Sequence, residues 1–122
     1  MASYKRKPKM SDQTSKEIRS KVTSEGNIEI SIATVAKPIP SNDEVLIRVE
    51  AAPINPSDLG LLLSFAADLN TINVTGSGDE TITSIKIHPG LIGAMKPRLD
   101  ESMQVGNEGS GVILDAGANA KG

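Results

Sequence analysis

A chain of 122 residues with a net charge of −2 is long enough for one domain and short for two. It has no cysteine and a single histidine, His88, which excludes disulfides, thiolate zinc sites, iron–sulfur clusters and multi-histidine metal centres within it. No apolar run approaches the roughly 18 residues of a membrane span, and no apolar stretch comes after the basic N-terminus, so the expectation is a soluble, cytoplasmic protein with no membrane partner.

Charge is divided unevenly. Residues 1–21 hold seven basic side chains against two acidic ones, and the remainder holds six against thirteen. The first twenty residues read as a flexible basic arm, and residues 1–15, rich in Lys, Ser and Gln, read as disordered. The arm has one aromatic, Tyr4, and no amphipathic face, and the acidic remainder opposes phosphate; nucleic acid is not the expected partner. Tyr4 and Phe65 are the only aromatics, so a core must come from Ile, Val, Leu, Met and Ala.

From Ile18 the pattern becomes extended, with Ser24-Glu25-Gly26-Asn27 as a turn between two segments. Ile28, Ile30 and Ile32 alternate with polar or small residues, as in a strand with one buried face. Prolines 38 and 40 end that segment, and Ser41-Asn42-Asp43 forms a second turn. Glu44 to Ala51 is the clearest strand, with Val45, Ile47 and Val49 on one face and Leu46, Arg48 and Glu50 on the other. A short helix is expected from near Ser57, capped by Ser57 or Asp58. Short strands are expected at 73–75 and 83–87 around the turn Gly76-Ser77-Gly78-Asp79, one helical turn within 91–104, and a last strand over 111–114. His88, beside Pro89-Gly90, reads as a surface or structural histidine in a turn. Short strands joined by turns favour a small, mainly β barrel or sandwich.

Two polar motifs carry the chemistry. In Asn55-Pro56-Ser57-Asp58 two nearby prolines, Pro53 and Pro56, stiffen the turn, and Asn55 offers both a donor and an acceptor. The motif suits a site that binds a carbonyl or hydroxyl, but taken alone it reads first as an ordinary helix-start turn. In Gly106-Asn107-Glu108-Gly109-Ser110-Gly111 the glycines permit close backbone approach, but the order is not that of a dinucleotide loop. Glu108 either binds a polar group or holds its own loop.

In this order, after and before strands, the two motifs resemble the N-terminal half of the medium-chain dehydrogenase/reductase family. Zinc-dependent members carry Cys-x-Ser/Thr-Asp and Gly-His-Glu at these places, and the Cys and His bind zinc; here both ligand positions hold asparagine, Asn55 and Asn107. The resemblance therefore points to the zinc-free, quinone-oxidoreductase-like branch, and the Val-Gly-Asn-Glu-Gly stretch resembles enoyl-thioester reductases. It covers residues 25–60 and 103–122. It implies a GroES-like, partly open β-barrel with one or two short helices over residues 21–122. Residues 65–102 read as an insertion, a mobile loop or small hairpin over the cleft. The resemblance further implies a small-molecule substrate, a quinone or an α,β-unsaturated carbonyl compound. NADPH or NADH would be held mainly by a Rossmann domain that these residues do not contain, which reads as a truncation, and a homodimer would form through that domain. Asn55, Ser57 and Glu108 become the candidate catalytic residues, Asn55 and Asn107 the candidate cofactor contacts, with no metal. Two departures matter: no tyrosine occurs after Tyr4, where enoyl-thioester reductases carry a proton-donating one, and the cofactor fingerprint is absent. The rival expectation is a non-enzymatic GroES-like module for binding or assembly.

Overall fold

The structure is a computed structural model and describes residues 13–65 and 67–120. Most of the expected basic arm, residues 1–12, lies outside the described residues. The architecture is mainly β, with two open sheets. The first contains β1 (Thr14–Val22), β2 (Asn27–Ala36), β4 (Asn73–Thr75), β5 (Ile82–Lys86) and β6 (Ser102–Gln104), in the order β4-β5-β2-β1-β6, antiparallel throughout. The second is a ribbon of β3 (Val45–Ala51) and β7 (Ser110–Ala116). One α-helix, α1 (Pro56–Leu62), comes after β3. A run of 3-10 turns, Pro89–Arg98, crosses beside the large sheet. Among the described residues no helix is long and apolar enough to cross a membrane.

The β1–β2 hairpin turns where expected. Gly26 takes φ +84°, its N–H donates to the Thr23 carbonyl at 3.0 Å, and the Thr23 N–H donates to the Asn27 carbonyl at 2.8 Å. Across the sheet Ser20 pairs with Ile30, which pairs in turn with Thr83, and Val22 pairs with Ile28, which pairs in turn with Ile85, so these residues share one surface. Its inner end is dry. Val22, Ile28, Ile87 and Met95 form the buried cluster, and Ile30, Ala67, Ile92 and Leu99 pack against it. Burial fades along β2: Ile28 is fully buried, Ile30 half-buried and Ile32 exposed. The expected inward face therefore exists, but the 3-10 run covers only one end of it.

Three expectations change. Residues 14–20 belong to β1 rather than to an arm, because β2 and β6 pair with both edges of that strand. Within the expected insertion β4 and β5 do form a small hairpin, but it belongs to the large sheet rather than to a mobile cover: β5 pairs with β2, and Ile85 and Ile87 are core residues. In place of the expected partly open barrel there are two open sheets. Among the described residues the β3–β7 ribbon pairs only with itself and no layer faces it, and Val45, Ile47, Val49, Val112, Ile113 and Leu114 are all at least 40% exposed.

A polar tether fixes α1 to the sheet. Ser20 on β1 is fully buried, and its Oγ donates to the Leu61 carbonyl of α1 at 2.6 Å. The Arg98 Nη2 donates to both Ser20 Oγ, at 3.1 Å, and the Leu61 carbonyl, at 3.0 Å. Partial burial of the guanidinium lowers its pKa, because desolvation penalises the charged form. The tether satisfies a carbonyl near the end of α1, where the helix itself supplies no further donors.

Candidate functional site

The site is built where β3 ends and β7 begins. Ala51 pairs with Ser110 after a register shift at Glu50, and a second shift lies between Leu46 and Ile47. Such bulges bend a strand and re-aim the residues beyond them. Gly111 is required by packing: a Cβ there would collide with the Arg48 carbonyl of β3. Gly106 takes φ +114°, which lets the chain swing Asn107 toward α1. A strand, not a helix, comes after these glycines, so the phosphate-loop reading has no support in the local architecture.

Asn55 is the N-cap of α1, with φ −89° and ψ 157°, and Pro56 occupies the first helical position. The cap thus lies two or three residues earlier than the expected Ser57 or Asp58, because a proline with fixed φ and no N–H suits the first turn. Asp58 Oδ2 accepts the Asn55 N–H at 2.7 Å, closing the turn from inside. The Asp58 side chain is only 3% exposed. Its other oxygen, Oδ1, accepts from Asn107 Nδ2 at 3.0 Å, so both oxygens of the buried carboxylate have a donor. The same Asn107 nitrogen donates to Ser57 Oγ at 3.1 Å.

The fold therefore brings Ser57, Asp58 and Asn107 into direct contact and anchors Asn55 to them through its backbone. Glu108, the next residue, stands apart from that triangle. It lines an open cleft of about 550 Å³ with Ala51, Ala52, Pro53, Gly109 and Ser110. Glu108 is exposed and offers the cleft an acceptor, Ser110 a donor, and the alanines and proline an apolar wall. Asn55, Ser57 and Asn107 are not among the residues lining this cleft; Asn107 adjoins it through its chain neighbour Glu108.

His88 is exposed, and its carbonyl accepts the Leu91 N–H at 2.8 Å in the turn that starts the 3-10 run. Among the described residues no three His, Cys, Asp or Glu side chains are grouped as they would be to hold a metal ion. The residues that sequence reasoning missed are Asp58 as the hub of the triangle, and Ser20 and Arg98 as the tether of α1. The available signal for Ser20 was a polar residue between Ile18 and Val22 on an otherwise apolar strand face. Neither a family model nor a curated protein matches this chain.

Proposed function

We propose that the chain is the substrate-side, GroES-like domain of a zinc-independent, NAD(P)H-dependent reductase acting on quinones or α,β-unsaturated carbonyl compounds. The carrying observation is the contact of Asn107 with Ser57 and Asp58 beside an open cleft. It supports reading the two motifs as one polar corner, which is where the resemblance expects the chemistry.

The residues at this corner suit the nicotinamide end of a dinucleotide and no more of it. Hydroxyl, amide and carboxylate groups flank a cleft with an apolar wall. No strand–glycine loop–helix unit for the pyrophosphate occurs among the described residues. On this reading the rest of the cofactor would be held by another domain. When bound, the cofactor supplies hydride to the electron-poor carbon. The chain's own part is to seat the flat apolar ligand on Ala51, Ala52 and Pro53 and to offer donors to its oxygen as negative charge grows there. Ser57 is the hydroxyl of the polar corner, Ser110 the hydroxyl of the cleft lining, and Glu108 sets the local charge. Asn55 and Asn107 stand at the two positions where the resembling family places metal ligands, and Asn107 spends both amide hydrogens inside the protein.

The test is NADPH oxidation with menadione by the gene product that joins these residues to a cofactor domain. Turnover should persist with EDTA and fall by about tenfold to a hundredfold in Ser57→Ala, the loss of one positioned donor. Activity abolished by EDTA would sink the zinc-free reading.

One observation favours the non-enzymatic alternative: the β3–β7 ribbon exposes apolar side chains along both strands. A gene product with no NADPH-linked turnover, whose ribbon becomes protected in a stable assembly, would favour that reading.

A further inference from the structure

The hydrogen-bond inventory at the polar corner allows one arrangement. The Asp58 carboxylate only accepts, so the Asn107 atom that faces Oδ1 at 3.0 Å is the amide nitrogen. That nitrogen carries two hydrogens. One goes to Asp58, and the other goes to Ser57 Oγ at 3.1 Å. Asp58 Oδ2 is meanwhile held by the Asn55 N–H at 2.7 Å, so the carboxylate is pinned on both sides. Ser57 Oγ thus receives its hydrogen bond from the protein. Its own hydrogen meets no acceptor among the described residues, and Ser57 is exposed.

We infer that Asn107 is a positioning residue that turns the Ser57 hydroxyl outward as a donor, aimed at the oxygen of a neutral carbonyl ligand. This deepens the functional reading above and rests on it. The corner contains the Asp58 carboxylate, Glu108 lines the cleft, and no cationic side chain lines that cleft. A neutral quinone or enone oxygen is therefore accommodated, and an anionic ligand is repelled. No bond to the protein forms; Ser57 keeps its proton and lends it as a hydrogen bond while charge builds on the ligand oxygen. Asp58 acts at one remove, by fixing which way the Asn107 amide faces.

The test titrates the ¹⁵N-labelled 122-residue chain with menadione and tracks the Ser57 backbone amide and the Asn107 side-chain amide. The expected result is saturable shifts at both. Asn107→Ala and Ser57→Ala should each weaken binding by about fivefold to tenfold, the worth of one hydrogen bond, and the double variant no further. That non-additivity is what a merely structural role for Asn107 would not produce. If Asn107→Ala fails to fold, Ser57→Ala alone still decides: one Asn107 amide proton should shift and the other, held by Asp58, should not. Both protons unmoved would overturn the inference. So would full affinity in Asn107→Ala alongside weakened Ser57→Ala, which leaves the functional reading standing. Menadione that shifts neither group removes the functional reading and the inference with it.

Discussion

The Asn107 amide nitrogen lies 3.0 Å from the Asp58 carboxylate although 49 positions separate the two residues. Asp58 is buried, so this bond also satisfies an oxygen that would otherwise be orphaned. Asn107→Ala should destabilise the chain by about 1–2 kcal/mol in urea unfolding, with a coupling to Asp58→Ala of about 1 kcal/mol in a double-mutant cycle. Strictly additive single variants would mean the two side chains act independently.

The Arg98 guanidinium ties α1 to β1 through Ser20 and the Leu61 carbonyl. Arg98→Ala should cost about 1–2 kcal/mol, because two hydrogen bonds are lost while the desolvation cost of the charge is recovered. Lysine should rescue little, since a single ammonium cannot reproduce the planar fork. Urea midpoints of the two variants check this; a lysine variant as stable as wild type would contradict the geometric role.

The two sheets should not be equally stable. Val22, Ile28 and Ile85 bury one face of the large sheet, whereas every residue of β7 is exposed. Native-state hydrogen exchange should protect β1, β2 and β5 amides up to the global unfolding limit. Ribbon amides should open with at least tenfold less protection, as sparsely packed segments do. Equal protection would show that something covers the ribbon in solution.

Glu44 closes the turn before β3. The Ser41 N–H donates to its Oε2 at 2.9 Å, and this hydrogen bond lowers the Glu44 pKa from its ordinary value. A depressed carboxyl pKa means the stabilisation is present above the unfolded-state value and disappears as pH falls through the folded-state value. The wild type should therefore exceed Glu44→Gln slightly in stability at neutral pH, and the two should converge in acid. A difference that grows on acidification would reverse the assigned sign.

Much of this fold is legible in local pattern. The alternation of Ile28, Ile30 and Ile32 marks β2, and the run from Val45 to Val49 marks β3, because period two is a property of the strand itself. β1 is legible only in part. Glu17, Arg19 and Lys21, each half-buried, alternate with Ile18, Ser20 and Val22, of which Ile18 is exposed, and the strand owes its existence to two flanking partners rather than to propensity. The position of β5 in the middle of the sheet is hidden for the same reason: a long-range pairing decides it. At the site, the motif residues can be named from sequence, but not that Asn107 reaches Ser57 and Asp58. Nor does the sequence reveal that Glu108 turns away from them to line the open cleft. Those depend on the bulge at Glu50 and on the close passage of Gly111 over Arg48.

The central claim is zinc-free hydride delivery to a carbonyl-conjugated ligand at this corner. It is tested most directly with NADPH deuterated at the transferable position, cyclohex-2-enone, and the gene product that joins these residues to a cofactor domain, in EDTA. The expected product is a ketone carrying deuterium on the carbon β to the carbonyl. Unlabelled product, or labelled product that appears only after zinc is added, would contradict it.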